Sequence, residues 1–441
     1  MVRGRCYGTS TITTRITVLS DPDLTFKVDR KGDPINMSRK ALYVSLATSL
    51  SLKCLALGQF NELRELQQKF IDDERTGSNI MMVHQNGKTI YRHTQNSGKP
   101  GDKDIQKSTI FPMYSMTKPI TIAGMMLLHE KNLVDWEDPV SKYIPAFANL
   151  KHLKDGMILP CKKELKVIHL MTHRSGYRYY GRPLLQEFGS GAGGAFFEEP
   201  QTNQIKYNNL EEFVKDVATQ PLEFEPGTQY QYGISHAILG RLIEVISGKS
   251  FYNYLREMLF DPLEMHDTKF HLTREEWDRY QVLYINADHL KGFTYLLDSH
   301  LTFREENHAH FGGEGLLSTF DDYSRFCEML LNRGAYRGRR ILSEDSIDQI
   351  TSNWVEIPES DGTNFKDLSG CYYGFACYVL GKPERDRGNS EKGMFAWAGY
   401  NNTHFWIEPE KNLYGLFMTR SREFGWDIPI ALRETVNSIV R

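Results

Sequence analysis

Ser115-Met-Thr-Lys118 is the stretch of this sequence best suited to nucleophilic chemistry. It follows an extended run, Ser108-Thr-Ile-Phe-Pro-Met-Tyr114, and leads into an apolar segment, Ile120 to Leu128, with helical character. A serine and a lysine three apart in a first helical turn share one face. A helix start also concentrates partial positive charge and free N–H groups. A lysine whose charged form is disfavoured by burial or by nearby cations can take a serine's proton. Pro119 lacks an N–H and suits only the beginning of a helix, which places Ser115 at that beginning. A capped surface helix would show the same four residues, so the reading needs further support.

Two other stretches supply it. Pro226-Gly-Thr-Gln-Tyr-Gln-Tyr232-Gly-Ile-Ser precedes a helical pattern from Ala237 to Ile246. A lysine ammonium favours the phenolate of a neighbouring tyrosine such as Tyr232, which can then accept the serine proton and return it to a leaving group. Ala396-Trp-Ala-Gly-Tyr400 lies between two expected strands. Small residues there let backbone approach a substrate closely. The N–H groups of Tyr400 and Ser115 are then the expected oxyanion hole.

Together these motifs carry a family resemblance. The chain resembles the serine hydrolases built like class C β-lactamases, most closely the family VIII carboxylesterases. Phe111-Pro-Met-Tyr-Ser-Met-Thr-Lys118 carries that family's S-x-x-K. Leu133-Val-Asp-Trp-Glu-Asp-Pro-Val-Ser-Lys-Tyr-Ile-Pro145 follows it in the same order. His169-Leu-Met-Thr-His-Arg-Ser-Gly176 is similar to the T-H-x-S-G turn, and Tyr232 falls at the family's tyrosine. Gly312-Gly-Glu-Gly-Leu-Leu-Ser-Thr319 resembles the glycine-rich segment. Trp397-Ala-Gly399 stands where lactamases carry K-T-G and esterases often carry W-x-G. The resemblance implies Ser115 as acyl nucleophile, with Lys118 and Tyr232 handling its proton. It implies an α/β fold of the β-lactamase and penicillin-binding-protein kind: an antiparallel sheet flanked by helices, plus a mainly helical insert lobe.

Two departures point to substrate. Ile234 stands where many lactamases have an amide-binding asparagine, and Trp397 replaces a lysine that would hold a β-lactam carboxylate. Both favour a small neutral ester, with Trp397, Gly399, Ile234 and Tyr177 expected at the substrate. Lactam, D-amino-acid peptide and acyl-transfer chemistry use the same machinery. The alternative of another class is a non-catalytic protein that binds acyl or peptidoglycan groups.

The elements that must position these residues follow from pattern. Phe60, Leu63, Leu66 and Phe70 suit an amphipathic helix. Asn79–His84 and Thr89–His93 read as strands joined by an Asn86-Gly87 hairpin turn. Helices are expected over 210–217, 237–246, 251–260, 321–332 and 428–440. Strands are expected over 373–379, 394–397, 403–407 and 413–418. Strands at both ends predict a discontinuous α/β lobe, 59–130 with 311–441, around an insert over 131–310. A glycine-rich loop over 177–209 reads as a lid lined by Tyr177, Tyr179, Tyr180, Phe196 and Phe197.

The bulk numbers narrow the class. The chain has 441 residues, 40% hydrophobic and 25% charged, with a net charge of −3. That excludes a broad basic surface, so the expected partner is a small-molecule ester or amide and not nucleic acid. The six cysteines (Cys6, Cys54, Cys161, Cys327, Cys371 and Cys377) are scattered, and free thiols are expected. No cofactor or metal is expected; His169 and His173 lack the glutamate of H-E-x-x-H. His308-Ala-His310 reads as a solvated loop. Gly233-Ile-Ser235-His-Ala237 resembles a nucleophile elbow only loosely. No stable membrane span is expected. Residues 1–58 read as an N-terminal extension. Within it, Met37-Ser-Arg-Lys40 and the apolar run after it resemble a signal peptide if translation starts at Met37. That start would give a secreted or periplasmic protein; otherwise the stretch is an amphipathic segment of a cytoplasmic one. Oligomeric state is left open.

Overall fold

The structure is a computed structural model that describes residues 60–179, 207–287, 290–294, 302–357 and 368–440. The N-terminal extension and most of the expected lid, including Tyr180, Phe196 and Phe197, lie outside the described residues.

Asn86 and Gly87 both take positive φ, 51° and 73°. That is the geometry of a two-residue turn whose twist matches antiparallel strands. It joins β1 (Asn79–Gln85) to β2 (Lys88–Gln95). The remaining strands come from the other end of the chain. They are β3 (Val355–Glu356), β4 (Cys371–Tyr373), β5 (Tyr378–Leu380), β6 (Phe395–Gly399), β7 (Thr403–Glu408) and β8 (Leu413–Thr419). They form one sheet in the order β3-β4-β5-β6-β7-β8-β1-β2. Every neighbouring pair in it is antiparallel. The pairing of β1 with β8 joins the two ends of the chain.

The helices that matter here are α1 (Asn61–Asp72), α2 (Thr117–His129), α3 (Ser235–Ser247), α4 (Phe320–Leu331) and α5 (Asp427–Ile439). Strands β7 and β8 are buried at every residue, so both faces of the sheet are covered. On one face Phe417 meets Phe70 of α1. On the other, Phe405, which pairs with Leu416, meets Tyr323 of α4. Helix α2 is buried from Thr117 to Leu128. Its run from Ile122 to Leu128 holds no polar side chain, and a helix apolar all round belongs in a core. A Cβ on its Gly124 would come within 2.9 Å of Leu255 and 3.1 Å of Ile243, so α2 packs closely on α3 and on the helix Phe251–Leu255.

Residues 280–287 and 290–294 lie against the sheet-bearing part of the chain. The strands Leu283–Ala287 and Leu290–Thr294 form a hairpin, and Tyr284 and Ile285 pair in parallel with Ser421 and Arg422. One expected strand is corrected: 373–379 is not continuous. Tyr373 pairs with Tyr378, and the chain turns between them. At Gly374 a Cβ would sit 2.2 Å from the Ile350 carbonyl, and Ala376 takes φ +53°. The apolar composition of this run hid a turn that only close backbone packing requires. Among the described residues, no helix is long and apolar enough to cross a membrane.

Candidate active site

A short strand, Ile110–Pro112, pairs with Leu317–Thr319 and aims the chain at the nucleophile. Met113 N–H donates to the Leu316 carbonyl at 2.8 Å. Tyr114 then takes φ +46°, a left-handed conformation unusual for a tyrosine. Such strain persists where surrounding contacts over-determine it. Ser115 therefore sits in a 3₁₀ turn, Tyr114–Met116, that runs directly into α2. The Tyr323 hydroxyl holds the Met116 carbonyl at 2.9 Å, and Leu316 N–H donates to Thr117 Oγ1 at 3.1 Å. Pro119 is the third residue of α2, where its missing N–H is no loss.

Lys118 is fully buried. Its Nζ donates to Ser115 Oγ at 3.1 Å, to Tyr179 Oη at 2.6 Å and to the Gly313 carbonyl at 2.7 Å. Three acceptors match the three N–H donors of an ammonium. The same nitrogen lies 4.8 Å from the Tyr232 ring centroid and 5.3 Å from that of Tyr179. The Tyr232 hydroxyl donates to Ser115 Oγ at 2.9 Å. Ser115, Lys118 and Tyr232 therefore meet at one oxygen.

Tyr232 lies just before α3, which Ile234 precedes as its N-cap. Gly233 has no room for a side chain: a Cβ there would be 2.2 Å from the Tyr177 carbonyl. That close approach lets the 177–179 segment cross over the start of α3 and brings Tyr179 to Lys118. Ile234 is buried. Tyr177 is also buried, packed edge-on against Phe147, and its hydroxyl has no hydrogen-bond partner among the described residues. Burial pushes that phenol's pKa up.

Trp397 is buried on β6, with its ring 5.9 Å from Tyr232 and 5.6 Å from Tyr373. Gly399 ends the strand against the nucleophile turn; a Cβ there would fall 2.2 Å from the Met113 carbonyl and 2.3 Å from Thr403 Oγ1. Tyr400 follows, its ring 6.0 Å from Tyr114 and 5.4 Å beneath the Arg422 guanidinium. The backbone of residues 399–400 is thereby held beside that of 113–115.

Three participants had no clear signal in the sequence. Tyr179 stood in an aromatic run read only as lid lining. The Gly313 carbonyl is backbone, so no residue type announces it. His173 stood in the T-H-x-S-G turn and in a discarded histidine pair with no role of its own assigned, yet its ring lies 4.5 Å from that of Tyr232.

The other constellations resolve differently. Ser235 is fully buried and hydrogen-bonded to Ser175 at 2.8 Å, away from any solvent-open elbow. His169 Nδ1 accepts from Lys166 N–H, and burial with nearby Arg174 lowers its pKa to about 4. His310 is not solvated as expected: it stacks on Phe270, and its Nε2–H donates to the Asn307 carbonyl at 2.9 Å. Burial lowers its pKa to about 3. Cys161, Cys327, Cys371 and Cys377 are free thiols, and Cys6 and Cys54 lie outside the described residues. Among the described residues, no group of three or more His, Cys, Asp or Glu is placed to hold a metal.

Comparison with known proteins places the chain. Residues 63–433 match the family model described as Beta-lactamase. Protein Rv1367c of Mycobacterium tuberculosis is 26% identical over 327 residues, 71% of this chain and 78% of that protein. Esterase EstB of Burkholderia gladioli is 23% identical over 409 residues, 88% of this chain and 97% of that protein. Among solved structures, EstCE1, described as a hydrolase with promiscuous acyltransferase activity, superposes with a TM-score of 0.71 at 19% identity. That superposition covers 87% of this chain and all of EstCE1. The family match spans most of the chain and the fold agrees with it, so the chain belongs to the beta-lactamase family and is a serine hydrolase.

Proposed function

We propose that this enzyme is a carboxylesterase that cleaves small neutral esters through an acyl-enzyme on Ser115. The observation that carries the proposal is the convergence of Lys118 Nζ and Tyr232 Oη on Ser115 Oγ, at 3.1 and 2.9 Å. The resemblance to esterase EstB supports the ester class.

Tyr232 is the shuttle in this scheme and Lys118 the fixed charge. The step starts with Tyr232 as the phenolate: Ser115 Oγ attacks the ester carbonyl while its proton passes to the Tyr232 oxygen, which becomes the phenol. The Lys118 charge, 4.8 Å from the Tyr232 ring, stabilises the negative charge that this oxygen carries in the exchange. The N–H groups of Ser115 and Tyr400 hold the oxyanion. Tyr232 then returns the proton to the departing alkoxide. The acyl-enzyme forms and an alcohol leaves. Water repeats the sequence: Tyr232 takes its proton, the acid departs and Ser115 is restored. Trp397 and Ile234 offer no charged or amide group for a lactam's carboxylate or side chain, which favours neutral acyl groups. An alcohol in place of water would give acyl transfer, the activity that EstCE1's description mentions.

A fluorophosphonate probe followed by peptide mass spectrometry tests the reading. One adduct on Ser115 is expected, absent in Ser115→Ala along with all p-nitrophenyl ester turnover. Labelling at another serine, or turnover surviving in Ser115→Ala, would overturn it.

A further inference from the structure

His173 is fully buried directly behind Tyr232 and takes φ +52°. It makes two contacts with the chain that carries the tyrosine. Gln231 N–H donates to the His173 carbonyl at 2.8 Å. Gly233 N–H donates to His173 Nδ1 at 3.3 Å. These amides stand on either side of Tyr232, so one residue grips the main chain before and after it. The imidazole also packs against the phenol, with centroids 4.5 Å apart and planes tilted by 50°.

The Gly233 contact fixes the state of the ring. A ring nitrogen that accepts a hydrogen bond carries no proton, so the imidazole is neutral with its proton on Nε2. The surroundings agree. Burial, the neighbouring His236 and the Lys118 charge all push His173 well below the ordinary histidine range. Nε2 of His173 and both ring nitrogens of His236 have no hydrogen-bond partner among the described residues. Buried polar atoms left this way are unfavourable, and a pair of histidines is a poor choice for a core whose only task is packing.

We infer that His173 is a positioning residue for the acyl-transfer step: its carbonyl and its neutral Nδ1 lock residues 231–233 so that the Tyr232 hydroxyl reaches Ser115 Oγ. The inference rests on the role given to Tyr232 above. It concerns geometry and not proton transfer, since His173 touches neither Ser115 nor substrate in this scheme. A displacement of about 1 Å at a reacting group can lower the rate about 100-fold.

The test is a set of variants assayed with p-nitrophenyl butyrate for kcat and KM separately. Asparagine at 173 can place Oδ1 where Nδ1 accepts; glutamine carries its amide one carbon farther out and cannot. His173→Gln should lower kcat about 100-fold while KM stays within about threefold. His173→Asn should recover kcat to within about tenfold of the parent. In a Tyr232→Phe background His173→Gln should lower kcat less than about threefold further, because the two act through one group. A Gln variant with parental kcat, an Asn variant no better than Gln, or an equal loss in the Tyr232→Phe background would each overturn the inference. Tyr232→Phe alone reports on the tyrosine's role, so the two failures are separable. Should the Gln variant not fold, the parent protein labelled with ¹⁵N-histidine decides. NMR should show His173 neutral and protonated on Nε2 throughout the pH range of activity; a Nδ1–H tautomer or an imidazolium there overturns the inference.

Discussion

Replacing Gly399 with alanine tests the oxyanion hole without touching the nucleophile or its proton partners. The added Cβ would lie 2.2 Å from the Met113 carbonyl oxygen and 2.3 Å from Thr403 Oγ1, whereas real Cβ contacts stay above 3.0 Å. The threonine can rotate; the carbonyl cannot, because Met113 is tied through its N–H to Leu316 at 2.8 Å. The end of β6 and the nucleophile turn must therefore part by about 0.8 Å or more, since packed interiors leave no slack to absorb the atom. Tyr400 moves with one side and Ser115 with the other, so the two N–H groups proposed to hold the oxyanion separate. Losing one such donor typically lowers kcat by about 10²–10³. We expect a fall of about 10² in Gly399→Ala, with KM little changed. Overpacking should also destabilise the fold by about 1–3 kcal/mol, a thermal midpoint lower by several degrees. The assay is steady-state hydrolysis of p-nitrophenyl butyrate together with the rate of Ser115 phosphonylation, both measured well below the variant's midpoint. Both rates should fall, because both reactions build negative charge on an oxygen in the same hole. A folded variant with kcat within about threefold of the parent would refute the placement of the Tyr400 N–H.

Three further outcomes are expected. Tyr232→Phe should lower kcat by about 10²–10⁴ with KM near the parent's, and turnover above about half of the parent's would mean that Lys118 works without the phenol. Tyr179→Phe removes one of the three acceptors around Lys118; since a hydrogen bond to a charged group is worth about 1.5–3 kcal/mol, kcat should fall by about 10–100-fold, and an unchanged kcat would show that Tyr179 only lines the pocket. On one preparation, kcat/KM for p-nitrophenyl butyrate should exceed that for a chromogenic cephalosporin, because a buried carboxylate without a cationic partner is held at a loss of several kcal/mol. If the cephalosporin proves the better substrate, another group supplies the cation, and Arg422 beside Tyr400 is the first to replace.

Regular elements were legible wherever periodicity or turn chemistry ran through a local stretch. The 210–217 helix falls where its pattern predicts, and Asn86-Gly87 makes the expected hairpin turn. What escaped were features that depend on chain segments meeting from far away. Two of the three acceptors on Lys118 are 61 and 195 residues distant, and one of them is a carbonyl. Local pattern could single out Ser115 and Lys118, which share one turn, but not what surrounds the lysine. Similar reasoning explains the break at 374–377, where a single glycine yields to a carbonyl from residue 350. Tyr177 and Tyr179 are alike in sequence context. Only the crossing of their segment over Gly233 sends one into the core and the other to the lysine.

A fully buried lysine charge is tolerable only when every N–H finds an acceptor, and the chain meets that demand with unrelated segments. The glycine-rich stretch is central to it. Gly313 gives its carbonyl to Lys118, Gly312 gives its own to Thr121 at 2.6 Å, and Leu316 N–H returns to Thr117. Side chains at 117, 118 and 121 thus fasten one face of α2 to residues 312–316. Gly312 must stay a glycine for this, because a Cβ would meet the His236 carbonyl at 2.5 Å and Thr121 Oγ1 at 2.9 Å. The charge, the nucleophile and the segment behind them form one cross-linked unit in which a change at any member disturbs the rest. Trp397 stands outside it. It makes ring contacts with Tyr232, Tyr373 and Tyr378 and belongs to no step of the proton path proposed here. A different side chain at that position would therefore leave the Ser115–Lys118–Tyr232 arrangement intact, so under the proposed scheme Trp397 bears on which acyl group is taken and not on how its ester is cleaved.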